Sequence, residues 1–217
     1  MSKKETAKRY ILFIISLFFS AMGVALTKHG DLGVSPISSV ANVLYINNDA
    51  IQLGTWLTIW NCALIVSQIV VLRKDFKPIQ LLQIPLSFLF GVFTNLGMKF
   101  VAFIPVENYI VRILMVLCGV TVLGFGISLS VTANVILNSG EAFVKAISDK
   151  SGKVFGNVKV GFDVCCVVAS IVLSLVLLHG SIQGTREGTI ITALLTGFIV
   201  KFFSSRTQKP INNILID

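Results

Sequence analysis

Tyr10 to Thr27 reads YILFIISLFFSAMGVALT, a run without one charged residue. A helix crosses a hydrocarbon core of roughly 30 Å with about 20 mostly apolar residues, so this run predicts a membrane span. Five more mostly apolar runs follow: Gly54 to Leu72, Ile79 to Met98, Ile110 to Val131, Gly156 to Leu178 and Gly188 to Phe203. None alternates polar with apolar residues as a barrel strand does, and backbone polar groups in lipid must be satisfied internally. The expected fold is therefore an all-α membrane protein of six transmembrane helices, a single domain over residues 1–217, with 1–9 and 204–217 as tails.

Composition agrees. Of 217 residues, 54% are hydrophobic and 13% charged, against roughly 25% charged in an average soluble domain. The first run is longer than the apolar core of a signal peptide and is followed by Lys28, His29 and Asp31, so it reads as a retained span. The net charge of +8 is a topology signal before it is a nucleic-acid signal, and no nucleic-acid partner is expected. With the N-terminus cytoplasmic, 14 of the 18 basic residues fall on the inner side, and only Lys28, Lys99, Arg112 and Arg186 fall outside. Both termini are then cytoplasmic.

A faint internal repeat runs along the chain. Leu32-Gly33-Val34-Ser35-Pro36 after the first span lines up with Leu137-Asn138-Ser139-Gly140-Glu141 after the fourth. Gly54 followed by Trp60-Asn61 lines up with Gly156 followed by Phe162-Asp163, and Ser87-x-x-x-Gly91 with Ala193-x-x-x-Gly197. A unit of three spans reverses its orientation when repeated, so two inverted halves are expected, about 10–103 and about 110–203. Each holds a short broken or re-entrant helix after its first span.

Ser35-Pro36 predicts the first of these short helices, with serine as cap and proline at the first helical position. It ends near Asn47, too soon to span. In the second half Asn138 or Ser139 is the expected cap of a helix running to Asp149, with Glu141 in its first turn. Such helix starts, if they reach into the protein, offer free amides to an anion or a carboxylate. Polar residues on both segments also allow them to lie at the interface.

Asp163 is the one acid clearly inside a span, and an ionisable residue there is a functional candidate for proton or substrate handling. Lys159, four residues earlier, shares its helix face, so a structural ion pair fits equally well. Asn61 is the neutral counterpart. A solute site between the halves would be lined by Ser35, Trp60, Asn61, Asn138, Ser139, Glu141, Phe162 and Asp163, with Asn95 and Asn134 as further polar candidates and with Asp163 and Glu141 able to couple a proton. The glycines at Gly91, Gly119, Gly124, Gly126 and Gly197 read as helix-packing positions.

The segments Leu32 to Pro36 and Asn138-Ser139-Gly140-Glu141-Ala142, with Phe155-Gly156, Lys159 and the late Gly184-Thr185, resemble the YczE/YitT group of bacterial integral membrane proteins. Typical members carry Gly-Pro where this chain has Gly140-Glu141. The resemblance implies a multi-span protein of the bacterial cytoplasmic membrane whose biochemical function is poorly defined.

No Ser-His-acid set, phosphate loop or metal-binding helix motif can be assembled from a chain with only His29 and His179, so enzyme, metal and cofactor are not expected. The four cysteines read as small buried hydrophobes. The partners expected are the lipid bilayer, a small solute and a second copy of the chain. The leading functional expectation is a small-solute secondary transporter or permease. The alternatives are a substrate-binding membrane subunit of a larger transporter, or a non-transporting regulatory membrane protein.

Overall fold

The computed structural model describes residues 2–216 and is all-helical among them. The order is α1 (Lys3–His29), α2 (Pro36–Asn47), α3 (Leu53–Leu72), α4 (Gln83–Val101), α5 (Tyr109–Ala133), α6 (Ser139–Ser151), α7 (Phe155–Leu177) and α8 (Glu187–Ile216), with two 3-10 turns, Arg73–Asp75 and Pro78–Leu82, before α4. Six of these helices are long and apolar enough to cross a membrane. The other two, α2 and α6, each follow the first helix of a four-helix run, so the order long, short, long, long occurs twice.

The sequence boundaries differ from these at the ends. Helix α1 takes up most of the basic tail, starting under a Ser2 hydroxyl that accepts the Glu5 amide at 3.1 Å. Helix α8 runs on to Ile216 through Pro210, well past the last apolar run. Lys8 Nζ donates to the Ile214 carbonyl at 2.8 Å, so both termini lie at one end of the bundle. At that end the buried Arg9 guanidinium donates to the Thr132 and Ala133 carbonyls, covering orphan acceptors at the end of α5. At the far end the Gly188 amide donates to the Leu32 carbonyl at 2.7 Å. Gly33 makes that approach possible, with φ at +109° and no room for a Cβ beside Thr189 Oγ1.

Where helices meet closely they do so through small residues, which lipid-immersed helices need because dispersion contacts replace the hydrophobic drive. Helices α1 and α5 pack along their lengths through Gly23, Gly119 and Gly126, with Gly23 seated on the Leu123 backbone and Gly126 on Ser20. Helices α3 and α4 meet at Gly54 and Gly91, where a Cβ on Gly54 would lie 1.9 Å from the Gly91 carbonyl oxygen. Gly124 seats Ile199 of α8. Gly197 does not fit this pattern: a Cβ there meets nothing within 4 Å, and the same holds for Gly156 and Gly161 on α7. These three face open space because α7 and α8 lack the lengthwise packing that joins α3 to α4.

Helix α2 is enclosed, and α6 is enclosed at its start and along one face, with Lys145, Asp149 and Lys150 exposed on the other. Helix α2 buries Ser38, Ser39, Val40, Ala41, Asn42 and Val43 and packs on α3 and α7, while α6 packs on the same two helices. Hydrogen bonds hold them inside. Asn42 Nδ2 donates to the Gly184 carbonyl at 2.9 Å, and Gln68 of α3 exchanges amide bonds with Gln83 of α4 while also donating to the Ser139 carbonyl at 3.2 Å. Ser87 and Ser139 hydroxyls lie 3.0 Å apart.

Two glycine substitutions should separate the packed seam from the open one. Gly54→Ala forces α3 from α4 and should cost about 1–3 kcal/mol, the usual range for overpacking. Gly161→Ala meets no neighbour and should be neutral or raise stability slightly through helix propensity. Thermal unfolding in detergent, followed by monodispersity after heating, reads both; equal behaviour of the two variants would sink this account of the seam.

Candidate functional site

A cavity of about 570 Å³ lies inside the bundle, lined by residues of all eight helices, a volume in the range of small-molecule sites. The starts of both short helices reach it. Ser35, Pro36, Ile37 and Ser38 line it from α2, and Asn138, Ser139, Gly140 and Glu141 from α6. The first turns touch, Ile37 lying against Gly140. From there α2 runs toward the far end, where Asn42 binds the α7–α8 loop, and α6 runs toward the end with the termini, where Lys150 pairs with Asp75.

Both starts are free of side-chain caps. The Ser35 hydroxyl donates to Ser38 Oγ at 2.9 Å instead of accepting a first-turn amide, and Asn138 at the start of α6 makes no cap bond either. The capping roles expected of Ser35, Asn138 and Ser139 are therefore not filled: Ser139 is the first helical residue and its hydroxyl is turned to Ser87. The consequence is chemical. Uncapped first-turn amides carry the positive end of each helix dipole into the cavity wall.

Opposite charge sits close by. Asp163 and Lys159 of α7 line the cavity as a half-buried ion pair, Lys159 Nζ donating to Asp163 Oδ1. Glu141 faces the same pair from α6 and has no ion-pair partner among the described residues. Burial pushes its carboxyl above the usual carboxylate range, against a smaller opposing pull from Lys159. Two carboxylates thus face one ammonium and two helix starts, each start worth roughly half a positive charge. With both carboxyls ionised the sum is near neutral, and protonation of Glu141, which its burial favours, leaves about one net positive charge.

Trp60 and Asn61 of α3 also line the cavity, and Trp60 Nε1 is enclosed without an acceptor. The remaining candidates fall elsewhere. Phe162 is absent from the lining and packs edge-on against Phe143, with ring centres 5.2 Å apart, because its position on α7 turns it toward α6. Asn134 is exposed and ends α5 in the left-handed conformation, a role that asparagine tolerates better than most residues. Asn95 belongs to a smaller hollow, where its Oδ1 accepts the Gly54 amide at 2.8 Å.

Several lining residues escaped the sequence reading. Ser20 is 1% exposed with its hydroxyl unpartnered, and Gln83 and Ser87 reach the wall from α4, as do Thr192 and Thr196 from α8. Their signal is one helical turn: Ser16 with Ser20, Gln83 with Ser87 and Thr192 with Thr196 recur at spacing four on otherwise apolar spans.

The wall is otherwise apolar, with Phe13, Leu17, Leu57, Leu86 and Phe90 among its members, and it is closed on the α1, α3 and α4 sides. Its exposed members are Val131 of α5, Phe155 and Val160 of α7, and Ala193 and Gly197 of α8. The mouth is therefore the gap between α7 and α8.

No curated protein and no solved structure matches the chain. A family model matches residues 7–205, nearly the whole length, and the chain accordingly belongs to the family of unknown function DUF6198.

Proposed function

We propose that this protein is a small-solute secondary transporter or permease, built from two inverted units and binding its solute in the central cavity. The observation that carries the reading is the pair of uncapped short helices whose first turns touch at the cavity wall and then run apart. Broken helices with their starts aimed at a mid-membrane site are how transporters offer backbone amides to a solute. An inverted repeat is supported by the packing pairs. Helices α1 and α4 pack as α5 and α8 do, α2 and α7 as α3 and α6 do, and α2 and α3 as α6 and α7 do.

The match is broken most strongly at one pair. Gly54 and Gly91 seal α3 against α4, whereas their repeat counterparts Gly156 and Gly197 stand clear of any neighbour. With the basic residues inward, Gly54 lies at the outer end of α3 and its counterpart Gly156 at the inner end of α7, so the sealed contact is on the outer side and the open one on the inner side. The protein is then in an inward-facing state, and closing α7 on α8 through those glycines is the motion that alternating access requires. The charge division and the resemblance to the YczE/YitT group support the bacterial cytoplasmic membrane, with both termini cytoplasmic.

With Glu141 ionised, the charge balance of the cavity is near neutral and favours a neutral or zwitterionic solute over an inorganic ion. In proteoliposomes loaded with a pooled metabolite mixture, Asp163→Asn should lower solute movement roughly tenfold or more at equal folded protein, because it leaves Lys159 unpaired in a half-buried wall. Movement of no solute in either direction, with or without a proton gradient, would count against the whole reading.

Glu141 sets the pH dependence. With its affinity for protons raised and with Lys159 and Asp163 the titratable groups facing it, it keeps its proton to higher pH than an ordinary carboxylate and loses it as pH rises further. Glu141→Gln holds the protonated form at every pH. It should flatten the pH profile of uptake on the acid-to-neutral side while leaving transport measurable at low pH; an unchanged profile would remove Glu141 from the coupling role.

A further inference from the structure

The gap between α7 and α8 reaches from Phe155, at the start of α7, to mid-span positions on α8, and that mid-span part opens at a depth where there is no water. Ala193 and Gly197 lie about 9 and 15 Å along α8 from its start at Glu187, at 1.5 Å per residue, so they sit near the middle of a hydrocarbon core of roughly 30 Å. Both line the cavity and are exposed to the outside of the bundle. Across the gap, Val160 of α7 does the same at 65% exposure. The residues flanking this window are apolar and exposed: Val164 on α7, and Leu194 and Phe198 on α8. A lipid chain lying against the bundle therefore meets an apolar opening that leads to an apolar wall.

Beyond that wall stand the polar groups: Glu141, the Lys159–Asp163 pair, Asn61 and the uncapped start of α2. The site thus has two ends. With Glu141 ionised, its polar end suits a head group with no net charge, and its apolar end continues to the window. Resting on the reading of the cavity as a solute site, we propose that its ligand is a single-chain amphiphile with a neutral or zwitterionic head, admitted sideways from the bilayer through the α7–α8 window. Gly197 serves this passage directly. A Cβ there would touch nothing within 4 Å, so the absent side chain is not needed for packing, and what it leaves is width at the window.

Trp60 is a built-in reporter, since it lines the cavity and the chain has only two tryptophans. In a Trp56→Phe background reconstituted in phosphatidylcholine vesicles, Trp60 emission is titrated with lysophosphatidylcholine brominated on its chain, and separately with aqueous acrylamide. The brominated amphiphile should quench Trp60, and Gly197→Phe or Ala193→Phe, which narrow the window at positions with room to spare, should remove most of that quenching. Quenching unchanged by either variant, or quenching by acrylamide alone, overturns the sideways route. The transport reading has its own readout. Absence of solute movement alongside window-dependent quenching would discard transport and leave an amphiphile-binding membrane protein, whereas movement of water-soluble metabolites with Trp60 shielded from the brominated chain would do the reverse.

Discussion

A peptide group left without a partner in hydrocarbon costs several kcal/mol, and that cost shapes everything around α2 and α6. Both are too short to span, and their starts lie enclosed in the bundle, where water cannot satisfy them. They persist only because the six long helices enclose them, and because side chains on neighbouring elements bind them: Gln68 and Ser87 at the start of α6, and Asn42 tying α2 to the α7–α8 loop. The enclosure that shelters broken backbone also leaves a hollow where two helix starts meet. Cavity and broken helices are one solution to one constraint.

The two four-helix runs share an order of elements and most of their packing partners, yet they differ most at one seam. A backbone-to-backbone glycine contact is all or nothing. At Gly54 and Gly91 the helices touch so closely that even a methyl group is excluded, while at Gly156 and Gly197 no atom is near enough to feel one. Small residues allow close approach without enforcing it, since a glycine surface offers neither bulk nor a directional bond. The same residue type at matching places therefore supports a sealed seam and an open one.

The spans were legible because twenty apolar residues in a row have few other uses, and the short helices were legible because Ser35-Pro36 and the Asn138–Glu141 segment carry helix-start chemistry. The positions of Trp60, Asn61, Glu141 and Asp163 on the cavity wall followed from helical register. What could not be read was the direction of a side chain at a helix end. Ser35 turns its hydroxyl to Ser38, a choice between two partners of similar strength that only the folded surroundings decide. Phe162 differs from Asp163 by one step of the helix, about 100°, and that step moves it from the cavity to a neighbouring ring. Gly91 and Gly197 look alike in sequence because a glycine records the absence of an atom, not the presence of a neighbour.

Helix α8 continues unbroken through Pro210 to Ile216, 30 residues in all, and its last turn is tied to Lys8 at the start of α1. At about 1.5 Å per residue it extends about 45 Å, so a tilt of about 10° about its start would displace its far end by about 8 Å. Mechanically that makes α8 a lever and the Lys8 contact its latch. Any rearrangement of α8 against α7 is thereby felt at the amino terminus, and a label or fusion attached at either chain end would load the lever rather than ride passively on it.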